Sequence, residues 1–151
     1  MNLRVRRANE NDLPLLAEME SRLFRDGPWG ESALAGQIAA PHTLSLLLLA
    51  DEIPVGYLLA GFSPPEGELY RVAVLPDMRR TGCGRRLLSE LFRIAKERGA
   101  DALWLEVRES NQAAIALYRA VGFRVVARRE NYYRNPCEAA LLMTAECPKE
   151  S

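Results

Sequence analysis

The sequence contains a single histidine, His42, so Ser-His-Asp and Cys-His catalysis and multi-histidine metal binding lose their main component unless that one residue serves. His42 follows Pro41 and precedes an apolar run, a setting that suits a loop residue better than a catalyst. Cysteine is sparse as well: Cys83, Cys137 and Cys147 are odd in number, widely separated and free of any Cys-x-x-Cys pair. That pattern argues against a disulfide framework and against a zinc site, and it predicts free thiols in a reducing compartment with no metal. Long hydrophobic runs are missing; residues 44–50 are the most apolar stretch, far short of the ~20 a membrane helix needs. Excess charge of either sign is missing too, because Lys+Arg and Asp+Glu both number 20. No bulk field then draws the chain to nucleic acid or to an anionic membrane, and any anion site must be built from a local cluster. An N-terminus that runs straight into Arg4, Arg6 and Arg7 completes the expectation of a cytoplasmic protein.

With 151 residues and 48% hydrophobic content, the chain is sized for one domain around one ordinary core, and residues 1–151 are read as that domain. Leu3 and Val5 alternate with arginines in a first strand, and Asn9 with Asp12 three residues on forms a capping-box-like helix start. Leu13, Leu16, Leu23 and Phe24 fall on one helical face; Gly27, Pro28 and Gly30 then demand a loop that carries Trp29, before a short helix over residues 31–39. Residues 43–50 and 53–62 read as a hairpin turned by Asp51-Glu52, and a third strand over 68–75 leads into Pro76. An amphipathic helix over 84–98 follows, with Leu87, Leu88, Leu91, Ile94 and Ala95 as its stripe. Residues 102–107 read as a strand buried on both faces, Asn111 caps a helix running to Gly122, and residues 123–133 and 137–144 form a last hairpin around Asn135-Pro136. The charged tail 146–151 is expected to fray.

The junction Arg79-Arg80-Thr81-Gly82-Cys83-Gly84-Arg85-Arg86 has a direct physical use. Gly82 and Gly84 let a ligand approach the backbone with no Cβ in the way, and the unpaired N–H groups of the first helical turn face it. The positive end of the helix dipole favours negative charge there, and the arginines add guanidinium donors, so a pyrophosphate fits. The bland alternative is a tight strand-to-helix turn with a solvated basic rim. The spacing matches neither the dinucleotide fingerprint nor the Gly-Lys-Ser/Thr phosphate loop, which leaves another pyrophosphate-bearing ligand.

Arg79-x-x-Gly82-x-Gly84 after the apolar strand Val72-Ala73-Val74 resembles the acetyl-CoA signature of the GNAT N-acetyltransferase superfamily. Leu103-Trp104-Leu105-Glu106-Val107-Arg108, Ser110-Asn111, Ala114-Ile115-Ala116-Leu117-Tyr118 and Gly122-Phe123 resemble the RimI-type ribosomal-protein alanine N-acetyltransferases within it. Pro28-Trp29 and Asn131-Tyr132-Tyr133 extend the likeness over nearly the whole chain.

The resemblance implies an α/β fold, a mixed sheet of about seven strands with four helices, splayed at its centre to admit the pantetheine arm. It implies acetyl-CoA as co-substrate, held by Val72, Ala73, Val74, Arg79, Arg80, Thr81, Gly82, Cys83, Gly84, Arg85 and Asn111. Glu106 takes the place of the proton acceptor and Tyr118 that of the donor to the CoA thiolate, with the Val74 N–H beside the thioester oxygen. Trp29, Tyr132 and Tyr133 stand where the family grips a peptide. Unaided, the residues allow blander readings: Glu106 facing solvent or paired with Arg108, Tyr118 as a core tyrosine, Asn111 as an N-cap, and the three aromatics as a hydrophobic cluster. Two departures bear on the acceptor, since Arg71 places a charge where many relatives have none, and Glu138-Ala139-Ala140 lacks the aspartate usual there.

The expected activity is acetylation of a protein N-terminal amine, the N-terminal alanine of a small-subunit ribosomal protein foremost. A small-amine acetyltransferase and a non-catalytic acyl-CoA-binding module are the alternatives. A nucleic-acid binder built on Arg124, Arg128, Arg129 and Arg134 is disfavoured by zero net charge. Oligomeric state is not encoded in any motif.

Overall fold

The computed structural model describes residues 1–25, 27–134 and 137–147. The expected Asn135-Pro136 turn and the tail beyond Cys147 lie outside them. The strands are β1 (Leu3–Arg7), β2 (Thr43–Ala50), β3 (Ile53–Ser63), β4 (Glu66–Val74), β5 (Ala102–Arg108), β6 (Arg124–Tyr133) and β7 (Glu138–Glu146). The helices are α1 (Leu13–Leu23), α2 (Glu31–Ala39), α3 (Cys83–Glu97) and α4 (Gln112–Ala120), with 3-10 turns at Glu10–Asp12 and Pro76–Met78. The seven strands form one sheet in the order β1-β2-β3-β4-β5-β7-β6, antiparallel throughout except at β4-β5.

Helices cover both faces, and each face has its own core. On one side the stripe of α3 and Ile115 and Tyr118 of α4 pack on Leu46, Leu48, Leu58, Ala60, Leu69, Leu103, Leu105 and Met143. Each of the three α3 leucines is fully buried, contributing about 1.5–3 kcal/mol of apolar transfer. On the other side Leu16 and Met19 of α1 and Leu34 of α2 pack on Leu47, Leu49, Tyr57, Leu59 and Ala73. The N-terminal turn is set by a capping box, as the spacing predicted: the Asn9 N–H donates to Asp12 at 2.8 Å, and the Asn9 side chain accepts from the Asn11 N–H at 2.8 Å. Arg6 donates twice to Asp12, both bonds 2.9 Å.

Two features of β4 position the site. Its parallel pairing with β5 covers only Glu66–Ala102, Gly67–Leu103 and Glu68–Trp104, so beyond Glu68 the strands part and the sheet opens. Just past that point a bulge, where Leu59 pairs with Arg71 but Ala60 with Leu69, makes Tyr70 an extra residue. The bulge reverses the side-chain alternation: Leu69 joins the α3-side core, whereas Arg71 and Ala73 turn to the α1 side.

Two expectations need correction. Residues 102–107 are not buried on both faces: Leu103, Leu105 and Val107 are buried, while Trp104, Glu106 and Arg108 are half-exposed, because their face borders the opening. The chain does not fray from Glu146, since β7 runs through it and Cys147 is buried, its N–H donating to the Asp101 carbonyl at 2.8 Å. On α1 the expected face turns to the core, with Leu16 fully buried and Leu13, Leu23 and Phe24 half-buried against the same cluster, and Met19 and the acidic Glu20 are buried beside them.

Candidate active site

A cavity of about 1340 Å³ runs along the opening between β4 and β5. At one end it is lined by Arg79, Arg80, Gly82, Gly84 and Arg85, in the middle by Val72, Ala73, Val74, Asn111 and Tyr118, and at the other end by Phe24, Tyr132 and Tyr133. Residues scattered over a hundred positions of sequence thus share one wall. Thr81, Cys83, Glu106 and Trp29 are outside that lining.

At the glycine end, Gly82 sits at the α3 N-cap in the left-handed conformation (φ 86°), which brings the helix start to the cavity. The first helical bond, from the Arg86 N–H to the Gly82 carbonyl at 2.9 Å, leaves the earlier amides of that turn without a helical partner. A Cβ on Gly84 would lie 2.8 Å from Leu117 Cδ2, so glycine lets α3 and α4 close up behind the loop. Cys83 faces the core, 1% exposed, so only its backbone is available to a ligand. Thr81 turns its hydroxyl inward on the loop, toward the Met78 carbonyl and the Cys83 Sγ at 3.1 Å. A diphosphate fits this end: free amides, a helix dipole and three arginines converge, and no carboxylate is among the described residues that line the cavity.

In the middle, Asn111 Oδ1 caps α4 by accepting from the Ala114 N–H at 3.2 Å, and the same side chain lines the cavity, so the two readings of it are compatible. Tyr118 is 8% exposed, its ring edge-on to Phe123 at 5.8 Å, and it still reaches the cavity wall. Burial first, and then Tyr133, push its phenol up to about 12. Burial and the charge of Glu106 do the same to Tyr133, also about 12. Both phenols are therefore hydrogen-bond donors throughout the neutral range.

Glu106 stands on β5 beyond the last β4-β5 pair, with its side chain 23% exposed. Its Oε2 is buried without a hydrogen-bond partner among the described residues, and Arg129 Nη1 lies 3.8 Å from Oε1. Tyr132 reaches the same carboxylate, and that hydrogen bond, with burial, pushes its phenol up. Glu68 faces the same region, and burial together with the charge of Glu106 raises its carboxyl above the ordinary range. A carboxylate oxygen kept buried and unpaired is a ready acceptor for an incoming N–H.

Trp29 packs against the α1-side core with its ring 5.8 Å from Tyr70, and Tyr70 with Glu68, Trp104 and His42 helps to line a second cavity of about 750 Å³. His42 is exposed there, in its loop.

Sequence reasoning missed the residues that brace the site. Arg108 holds the β6-β7 end through Glu138 at 3.1 Å and the Arg134 carbonyl at 3.0 Å, with its guanidinium 4.4 Å from the Tyr133 ring centroid. Glu138 in turn accepts from the Ser110 N–H at 3.1 Å; burial pushes its carboxyl up, but the bonds from Ser110 and Arg108 outweigh that and hold it low. Charge alternation along 106–108 was the available signal, but the partner lies thirty residues away. The arginines 124, 128, 129 and 134 do not form one free basic patch, since Arg128 binds Glu109 at 2.7 and 2.9 Å and Arg129 faces Glu106. No group of acidic, histidine and cysteine side chains suited to a metal occurs among the described residues, and no helix there is long and apolar enough to cross a membrane.

Comparison with known proteins matches residues 13–123 to the Acetyltransferase (GNAT) family. The chain is 40% identical over 122 residues to the [ribosomal protein bS18]-alanine N-acetyltransferase of Salmonella typhimurium, covering 81% of each chain. It is 40% identical over 128 residues to the N-alpha-acetyltransferase RimI of Mycobacterium tuberculosis, covering 82% of this chain and 79% of that one. Among solved structures, the ribosomal-protein-S18-alanine N-acetyltransferase of Escherichia coli superposes with a TM-score of 0.89 at 32% identity, over 99% of this chain and 97% of that one.

Proposed function

The chain belongs to the GNAT acetyltransferase family, and from that premise we propose that it transfers acetyl from acetyl-CoA to a protein N-terminal α-amine, that of the alanine opening a bS18-type ribosomal protein foremost. The observation that carries the reading is the single cavity joining the glycine loop, Tyr118 and the paired tyrosines through the gap between β4 and β5.

Acetyl-CoA is a substrate here, and what it supplies is a thioester. Its diphosphate would lie on the amides of the α3 start between Arg79, Arg80 and Arg85, and its arm along Val72–Val74, whose cavity-facing edge is unpaired with β5. Transfer forms a C–N bond and breaks a C–S bond, so one proton must leave nitrogen and sulfur must be stabilised as it departs. An α-ammonium near pKa ~8 is largely protonated at neutral pH, so a base raises the attacking fraction. Glu106, which lies outside the cavity lining but meets it at Tyr132 and keeps Oε2 without a partner among the described residues, is that base, acting through water. Tyr118 is the hydrogen-bond donor to sulfur. A thiol of pKa ~8.5 is a stronger acid than a phenol near 12, so the phenol stabilises the thiolate mainly by hydrogen bonding as charge develops. The Val74 N–H is the candidate donor to the oxyanion, while Tyr132 and Tyr133 frame the acceptor from the cavity wall and Trp29, outside that lining and beside Tyr70, backs them.

The test is CoA release and mass gain with a bS18 N-terminal peptide against a panel of polyamines, amino acids and aminoglycosides. Turnover of the peptide with kcat/KM well above every small amine is expected; turnover of small amines alone would replace this reading with the small-molecule one.

A further inference from the structure

Glu20 is the most deeply buried charged residue among those described: it is 0% exposed, in the last turn of α1, among Leu16, Met19 and Leu34. Four groups satisfy it. The Tyr57 hydroxyl donates to Oε2, the Trp29 backbone N–H donates to Oε1 at 2.8 Å, and Arg71 donates from Nη2 to Oε1 at 3.0 Å and from Nε to Oε2 at 3.2 Å. Burial first, and then Glu20, push the Tyr57 phenol far up, so it remains a donor.

Arg71 does more than neutralise that charge. Its Nη2 also donates to the Gly27 carbonyl at 2.7 Å, and its guanidinium lies 3.7 Å from the Phe24 ring centroid. One side chain on β4 therefore holds the segment after α1 at Phe24 and Gly27, and through Glu20 at Trp29. The described backbone bonds at this stretch are local, Phe24 to Glu20 and Gly27 to Phe24, so they shape the turn without attaching it to the sheet. Leu23, Phe24, Arg25 and Gly27 form the lip of the cavity at the end where Tyr132 and Tyr133 stand.

A buried ion pair is weak evidence of stabilisation, because apolar replacements of similar volume are often as stable. What such a pair does supply is a defined geometry, here between the strand that borders the opening and the lip above it. We propose that Arg71, through Glu20, is a positioning residue that sets the place of the lip at Leu23, Phe24, Gly27 and Trp29 and thereby the affinity and first-residue selectivity for the acceptor amine. The proposal rests on the acyl-transfer reading for its substrate but not on which amine is used.

Two variants test it in the full chain: Arg71→Lys, which leaves Glu20 a cationic partner and so protects the fold, and the double variant Glu20→Gln with Arg71→Gln, which strands no buried charge. The parent is first assayed with peptide and small amines, and failure on every peptide removes the peptide reading alone. The acceptor that the parent does use then serves for the comparison. Expected for both variants are faster hydrogen exchange at the Trp29 amide, an acceptor KM raised about tenfold, a KM for acetyl-CoA within about twofold, and a flatter ranking of acceptors that differ in their first residue or amine substituent. Unchanged exchange at Trp29, faster exchange with an unchanged acceptor KM, or equal rises in both KM values would each overturn it.

Discussion

Tyr118 meets Phe123 edge to face with ring centroids 5.8 Å apart, so the ring that carries the proposed donor is fixed by an aromatic neighbour from the turn after α4. The hydroxyl and the ring can therefore be separated by substitution.

Tyr118→Phe keeps the edge-on contact and the buried surface, so its melting temperature should stay close to that of the parent. Its kcat should fall about 10²-fold or more, the usual range for a lost hydrogen-bond donor to charge developing in the transition state, while the KM for acetyl-CoA changes little. Steady-state kinetics with varied acetyl-CoA and a calorimetric scan check both halves. An unchanged kcat would return Tyr118 to a purely packing role.

Glu106→Gln should lower kcat/KM about 10²-fold at pH 7. The deficit should shrink as pH climbs past the ~8 of the α-amine, because free amine then forms without help. Parent and variant profiles between pH 6 and 10 decide it; parallel curves would mean that Glu106 does not serve as the base.

Gly82→Ala forces an L-residue into φ 86°, with nothing within 4 Å of the new Cβ, so strain alone is added. The cost should be about 1–2 kcal/mol, a drop of a few degrees in melting temperature. Because the same backbone forms the proposed diphosphate cradle, the KM for acetyl-CoA should rise while the acceptor KM holds. Equal changes in the two constants would count against the cradle.

The acid limb of stability should depend on Asp12. The bonds from Arg6 hold its carboxyl below the ordinary range, against the opposite push of burial. A carboxylate with a depressed folded pKa stabilises above its unfolded value, ~3.9, and the benefit disappears as pH falls through the folded value. Asp12→Asn should therefore cost about 1–2 kcal/mol at pH 7, and the gap should close below pH ~4. Urea midpoints for both proteins at pH 7, 5 and 3 measure it.

Much of the fold was legible because it rests on local rules. The α3 stripe of leucines, the Asn9–Asp12 box and the hairpin turned at Asp51-Glu52 each depend on neighbours within a few residues. The glycine loop was legible for the same reason, since a helix start exposes its amides whatever surrounds it. Glu20 was not: a glutamate beside Met19 reads as a solvent-facing charge until Arg71 and Tyr57, fifty-one and thirty-seven positions away, are brought to it.

By its own pattern the sequence determined which segments become strands and helices, where an anion can sit, and which residues resemble those of an acetyltransferase. Only the tertiary structure decided that β4 parts from β5 after Glu68, and that the extra residue at Tyr70 swings Arg71 to the opposite face from Leu69. The alternation of a strand assigns faces only while its register is unbroken, and register is a property of the pair of strands, not of either one alone.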